Sequence, residues 1–521
     1  MTTVEHVIIG SGINSLVAAA LLSRKGDSVL VLEKEDTLGG CMKTDEITLP
    51  GFHHDIMATT FVLFLTSPAF AELGEALGKH GLEFCHTDKP TGVMRPNGSA
   101  LVMSMDHAAN VAEFNARAKG DGDSHSGIVG GIGGDADFLF SILGGQLWSW
   151  QMAKLMCGQW RRKGLKGLKS WFGKALEPAR GWLENDFKSA DVQALFAPWP
   201  LHAGLTPEST YSGQMGKVIA FALEAAGAPI VKGGSAQAVA AFKNLIEAQG
   251  GKFQTSAEVQ SIAVVNQTAK GVILADGTRI LANNVLASVA PGQLYGQLLK
   301  GHLPDDEKAA IDYRQGRGNF QLHYALDGLP KWTADGLENV ALVHLADGVD
   351  SVSKSANEAE RGLLPAEPTI CVGQPSQLDP SRCPNGKSIL WLQIPDAPVV
   401  VKGDASNEIE TDGTWSVSTR EAFADRLEGQ LRRHISNFDE IKLDRKAYSP
   451  ADLEALNVNL VGGDPYGGAC SIDQFFLWRP FVGSVNATTS IRKLHHIGAS
   501  THPGPGLGGG SGFNVAKALG A

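Results

Sequence analysis

The residues best placed for chemistry stand at the start of the chain. Gly10 and Gly12 follow a short apolar run, His6 to Ile9, and are followed by Ile13-Asn14-Ser15 and an Ala- and Leu-rich stretch, Leu16 to Lys25. A second apolar run, Ser28 to Leu32, ends at Glu33. The pattern is strand, glycine turn, helix, strand. Gly10 permits the tight turn, and Gly12, lacking a side chain, lets the backbone approach a pyrophosphate. The helix that follows aims free N–H groups and a partial positive charge at that anion. Glu33 lies near the ~20-residue spacing expected for an acid that binds a ribose hydroxyl. An acid there favours an unphosphorylated ribose, FAD or NAD over NADP. Ser15 replaces the third glycine of the pattern but is small enough for close helix–strand packing.

Other candidates need the elements around them. Gly131-Ile132-Gly133-Gly134-Asp135-Ala136 also fits the glycine pattern, but it follows a polar stretch with no strand before it and reads as a mobile loop. With one credible dinucleotide fold, a built-in NAD(P)H reductase domain is not expected. The 521-residue chain is long enough for two or more units. Its composition, 43% hydrophobic and 19% charged, is that of a globular protein. The net charge of −10 argues against nucleic acid as a partner. Cys41, Cys85, Cys157, Cys371, Cys383 and Cys470 are scattered, without zinc or dithiol spacing, which predicts a reduced, cytoplasmic protein. The pairs His53-His54 and His495-His496 have no third ligand at metal spacing, so no metal site is read. Neither a signal peptide nor a transmembrane helix is expected.

Three blocks of sequence carry a family resemblance. Gly10-Ser-Gly-Ile-Asn14-Ser-Leu16, then Glu33-Lys34 and Gly39-Gly40, is similar to the N-terminal FAD signature of phytoene desaturase-like and amine-oxidase-like flavoproteins. The middle block resembles the same family. Gly233-Gly234-Ser235 leads into a helix, Ala236 to Gln249, and then a strand pair, Glu258 to Val265 and Gly271 to Ala275. At the C-terminus, Gly498-Ala499-Ser-Thr-His502-Pro-Gly504 and Gly508-Gly509-Gly-Ser-Gly512 open a helix, Phe513 to Leu519. The departures are Ser15, Cys41 and Pro505.

The resemblance implies an α/β fold: a discontinuous Rossmann-type FAD-binding domain with an α+β substrate domain and a helical cap. The expected units are residues 1–83, 232–300 and 480–521 for the cofactor, 84–231 for the cap and possible membrane contact, and 301–479 for the substrate. It implies FAD held by Gly10, Gly12, Ile13, Asn14, Ser15, Glu33, Lys34, Gly39, Gly40, Cys41, Val259, Gly498, Ala499, Gly508 and Gly509. Within the substrate unit, Gly318 to Leu326 and Ile389 to Ile394 read as strands and Arg420 to Phe438 as an amphipathic helix. His502 and Asp55 are the candidates for acid–base work; alternatively His502 orders the glycine loop and Asp55 braces the fold. Phe475, Trp478 and Arg479 either wall a substrate tunnel, with Arg479 at its mouth, or simply pack between domains.

The implied activity is dehydrogenation of an apolar or aromatic substrate by hydride transfer to FAD, with quinone or oxygen as electron acceptor. The alternatives are an amine or alcohol oxidase, a saturase, an isomerase, or a non-catalytic FAD-containing membrane-interaction protein. From Trp148 to Lys174, seven Lys and Arg residues occur without an acid, interleaved with Trp148, Trp150, Trp160, Trp171 and Phe172. Leu165, Leu168, Trp171, Phe172 and Leu176 share one helical arc, a pattern that predicts peripheral membrane contact through residues 148–176. A core-packed helix with a solvated basic face is the other reading.

Overall fold

The computed structural model describes residues 2–303 and 307–521. Met1 of the expected cofactor unit and residues 304–306 of the expected substrate unit lie outside them. The first strand, Thr2–Ile9, runs parallel to Arg279–Ser288 on one side and to Val29–Leu32 on the other, near the middle of a seven-stranded sheet. Val29–Leu32 is buried throughout, as a parallel strand covered on both faces must be. Lys252–Gln254 adds one edge, and the antiparallel pair Thr268–Leu274 and Val259–Val265 adds the other. The C-terminal strand Leu494–Ile497 pairs with the end of Arg279–Ser288. The sheet therefore draws strands from the start, middle and end of the chain.

The first helix, Ile13–Lys25, begins directly at the glycine turn, with Gly12 as its N-cap, three residues earlier than the apolar pattern suggests. It packs against Ser235–Ala248 and Gly510–Ala518. The contact with the last helix is unusually close. The Asn14 amide oxygen accepts from the backbone N–H of Ser511 at 3.1 Å, its hydroxyl at 2.8 Å and the Gly512 N–H at 3.3 Å. Asn14 thus supplies the cap that the last helix lacks locally. A Cβ on Gly512 would stand 1.8 Å from the Asn14 carbonyl oxygen.

A second seven-stranded sheet runs in the order Lys442–Tyr448, Gly318–Leu326, Ser388–Ala397, Ile370–Gly373, Leu342–Leu345, Thr91–Met94, Ala100–Met103. Thr91–Met94 and Ala100–Met103 fall within the expected helical cap; their hydrogen bonding places them in this sheet instead. Gly318–Leu326 is buried on both faces and so lacks a solvent side. One face packs Phe320, Leu322, Leu392 and Val372 against Phe423, Leu427 and Leu431 of the helix Val417–His434. The other face turns toward the cap helices.

The second glycine pattern is a helix, Asp121–Gly134, not a mobile loop. Its start is fixed by the buried Asp121 carboxylate, which accepts from the backbone N–H groups of Lys188 and Ser189. Near its start glycine serves packing, since a Cβ on Gly122 would meet the Val111 carbonyl at 2.0 Å, whereas one on Gly131, Gly133 or Gly134 would meet no atom within 4 Å. The helix Trp150–Ala175 is broken at Gly164, whose φ is +67°. Among the described residues no single helix is long and apolar enough to cross a membrane. The pair Asp121–Gly134 and Ala136–Gly144, bent by 71°, meets the length and composition together.

Gly512→Ala is expected to destabilise the fold by about 1–3 kcal/mol, because the added methyl cannot fit against the first helix. Denaturant unfolding of the variant measures this, and flavin content should fall in parallel.

Candidate active site

A single cavity of about 2160 Å³ runs between the two sheets. It is larger than one ordinary small-molecule site requires. Its first half is walled by the glycine segments: Gly10, Gly12, Ile13 and Asn14, then Gly39, Gly40 and Cys41, with Gly498, Ala499, Gly508 and Gly509 opposite. Glu33, Lys34 and Val259 line the same end. Of the expected cofactor residues only Ser15 is absent from the wall; it is fully buried within the first helix.

This half fits FAD. Gly12 has an ordinary backbone, φ −66°, and a Cβ on it would meet no atom within 4 Å, so its bare face opens into the cavity. The first helix has no side-chain cap and no acid in its first turn, which leaves its positive end available to a pyrophosphate. One Glu33 oxygen accepts from the Ser11 N–H at 3.0 Å and hydroxyl at 2.6 Å, and the other accepts from the Glu35 N–H at 3.1 Å. A carboxylate accepts about four hydrogen bonds, so Glu33 is oriented by the chain and keeps capacity for a ribose hydroxyl. The Asn14 amide oxygen is different: it is engaged on the last helix, so Asn14 clamps the first and last helices together at the wall it also lines. Cys41 lines the groove, and burial pushes its thiol up to about 11, so it stays protonated and poorly nucleophilic.

The acid–base candidates are not on the wall. Asp55 is buried, with its carboxylate 2.8 Å from Arg382, which is itself wholly buried. It also accepts from the hydroxyls of Thr44 and Thr59 and from the Ser235 N–H. These contacts brace the chain after Gly39-Gly40 against the turn at Gly233-Gly234 and against Arg382. His502 donates from Nε2 to the Gly145 carbonyl at 2.9 Å, and burial holds its pKa down to about 4. Its role is to tie the C-terminal glycine loop to the cap.

Of the substrate-wall candidates, Phe475 lines the cavity and stacks on Tyr211 at 5.7 Å between ring centres. Trp478 points to solvent instead. Arg479 is fully buried, not at a mouth: it donates to the carbonyls of Tyr466 at 2.6 Å and Ala499 at 2.9 Å, stitching two wall segments together.

The second half of the cavity has no counterpart in the sequence motifs. Met215, Val218 and Ile219 of the helix Ser212–Ala226, with Phe140 and Leu143, supply apolar lining. Across from them stand Asn319, Gln321, Cys371, Trp391 and Gln393 of the second sheet, and His202. Two trios of metal-ligand type also converge, His202/His344/Cys371 and His107/His125/Glu224, each with ligand atoms within 4.8 Å. No sequence spacing announces either. In the first the two Nε2 atoms hydrogen-bond each other at 2.9 Å; in the second both imidazoles hydrogen-bond Glu224.

Fold and cavity together define a dinucleotide-dependent redox enzyme with a large substrate chamber. A profile described as an NAD(P)-binding Rossmann-like domain matches residues 8–77, and one described as flavin containing amine oxidoreductase matches residues 182–442, half of the chain. The chain belongs to the flavin-containing amine oxidoreductase family, and it is an FAD-dependent oxidoreductase. Over 99% of its length it is 25% identical to pyridine nucleotide-disulfide oxidoreductase domain-containing protein 2 of Mus musculus, covering 93% of that protein. It is 24% identical to one of the limonene dehydrogenase subunits of Castellaniella defragrans, over 99% of this chain and 94% of that one. Identity to the phytoene desaturase of Fusarium fujikuroi is also 24%, over 96% of this chain and 86% of that one. Among solved structures, an oxidoreductase from Methanosarcina mazei superposes with a TM-score of 0.60 at 17% identity, covering 99% and 100% of the two chains. Cyclohexylamine oxidase from Brevibacterium oxydans gives 0.57 at 15%, with 99% and 100% covered.

Gly12→Val is expected to fold, since its backbone and surroundings tolerate a side chain, yet to bind FAD at least about tenfold more weakly; unfolding curves and flavin titration of the apoprotein separate the two effects. Asp55→Asn should cost about 3–5 kcal/mol of stability by stranding buried Arg382. His502→Gln should retain most turnover, where loss of a true acid–base group would cost about 10²–10⁴-fold.

Proposed function

We propose that the protein dehydrogenates an apolar or aromatic small molecule drawn from a membrane surface and passes the electrons to a quinone or to oxygen. The observation that carries this reading is the continuity of the cavity. The glycine-walled groove opens without a partition into the chamber lined by Phe475, Met215, Val218 and Ile219, so cofactor and substrate share one continuous space. The names of two relatives, a limonene dehydrogenase and a phytoene desaturase, point the same way for the substrate's apolar character.

Bound FAD supplies the hydride acceptor. The chain's own work is to hold and orient. The first helix's N-terminus and Glu33 fix the dinucleotide end, and Arg479 holds Tyr466 and Ala499 in register where the two halves meet. The cap helices exclude water from the chamber, which protects the reacting carbon centre from side reactions. A single Rossmann unit leaves reoxidation to an external acceptor.

Membrane contact is supported by a surface patch. Trp148 and Trp150 are 55% and 75% exposed, and Trp160 is also exposed. Trp148 exchanges two backbone hydrogen bonds with the Asn486 side chain, which brings exposed Val482 and Val485 alongside. Arg161, Lys166, Lys169 and Lys174 are exposed nearby. The helical arc itself is only partly available, because Trp171 turns inward onto Phe138 at 4.9 Å. All six cysteines are free thiols, which suits a reducing, cytoplasmic setting.

Anaerobic mixing of the holoenzyme with apolar cyclic or polyene substrates should bleach the flavin, and a quinone or air should restore the colour. Failure of every such compound, with rapid bleaching by a charged amine instead, contradicts the reading. Anionic vesicles should sediment the protein, and replacing Trp148, Trp150 and Trp160 by Ser should reduce the bound fraction several-fold. Equal binding of variant and parent would argue against the patch.

A further inference from the structure

The second sheet carries an unusual row of side chains. Residues paired across adjacent strands point to the same face. The register pairs Gln321 with Gln393, Gln393 with Cys371, and Cys371 with His344, so these four side chains form one line across four strands. Two residues along the first strand from Gln321 lies Asn319, on the same face. The reverse face of the same strands packs into an apolar core, which is what a buried sheet ordinarily presents on both sides.

This row faces the chamber. Asn319, Gln321, Cys371 and Gln393 all line the cavity, and Gln393 is the one residue of Ser388–Ala397 that is not fully buried. His344 is reached through His202, which lines the cavity and shares an Nε2–Nε2 hydrogen bond with it at 2.9 Å. Among the described residues, none of the three amides makes a hydrogen bond to the protein. The Asn319 and Gln321 oxygens, and the indole N–H groups of Trp199 and Trp391 beside them, have no protein partner. An amide can turn either its oxygen or its NH₂ toward a ligand. Buried polar groups are costly unless paired, so three unspent amides on one wall mark a place where a ligand does the pairing.

The row is polar but uncharged. No Asp, Glu, Lys or Arg of the second sheet lines the cavity; the acids and bases on its wall come from the cofactor end and the cap. Burial pushes His202 down to about 4 and His344 further below its ordinary value, so both imidazoles are neutral. A protonated amine or a carboxylate would meet no counter-charge here, and a pure hydrocarbon would leave the amides unpaired. A hydroxyl donates and accepts, and a carbonyl accepts; either suits amides, imidazoles and indole N–H groups together.

We propose that Asn319, Gln321 and Gln393, with the His202–His344 pair, form a subsite for a neutral oxygen function, a hydroxyl or carbonyl, at one end of an otherwise apolar substrate. This rests on the dehydrogenase reading for the rest of the chamber. It narrows the substrate class to an oxygenated apolar molecule.

The test compares three ligands of one skeleton on the holoenzyme: limonene, perillyl alcohol and perillylamine. Binding is read from the perturbed flavin spectrum, and anaerobic bleaching is recorded separately. Perillyl alcohol should bind about tenfold more tightly than limonene, with perillylamine no tighter than limonene. In the Gln321→Leu/Gln393→Leu variant the alcohol should lose that advantage while limonene binds at least as well. Limonene binding as tightly as the alcohol, the amine binding tightest, an advantage that survives in the variant, or no binding by any of the three overturns the proposal. Should the variant not fold, the ranking of ligands on the parent enzyme decides alone. Bleaching without a preference for the alcohol sinks this inference and leaves the dehydrogenase reading; preference for the alcohol without bleaching does the reverse.

Discussion

The meeting of the first and last helices at Asn14 is the contact on which the cofactor site depends. Its amide oxygen takes three hydrogen bonds from Ser511 and Gly512, and the helices approach so closely that only glycine fits at residue 512. Helix termini leave unpaired backbone groups that something must satisfy. Here the last helix is capped by the first, so the glycine wall of the groove, made of residues far apart in sequence, closes only when these two helices meet. The strand Leu494–Ile497 joins the same sheet and delivers Gly498 and Ala499 to the wall beside it.

Buried charge plays a second bracing role. Asp55 with Arg382 and Arg479 with its ring of carbonyls sit behind the cavity wall rather than on it. A buried ion pair contributes little net stability, but its geometry is exacting and breaking it is expensive. These groups therefore fix where the wall segments lie. The second-sheet side of the chamber wall carries neutral polar groups instead.

The cofactor half is legible in the sequence because its signals are local. A strand, a glycine turn, a helix and an acid about 20 residues on state their chemistry within one stretch of chain. Even there Asn14, which lines the groove, gives no sign that its amide oxygen also caps the last helix. For Asp55 and His502 the sequence leaves acid–base work and bracing both open, because their partners, Arg382 and Gly145, are hundreds of residues away in sequence. The polar row is invisible, since its members lie on four strands and each alternates with apolar neighbours facing the other core. The glycine-rich stretch at 127–134 looks like a loop because composition alone cannot show that it continues a helix whose start is fixed at Asp121 and Gly122 by contacts with residues outside it.

The most direct test of the central claim is the visible absorption spectrum of the purified protein, followed by denaturation and chromatographic identification of what is released. The account predicts flavin bands and free FAD in about one-to-one ratio with the chain. A colourless protein that also fails to take up added FAD would contradict it.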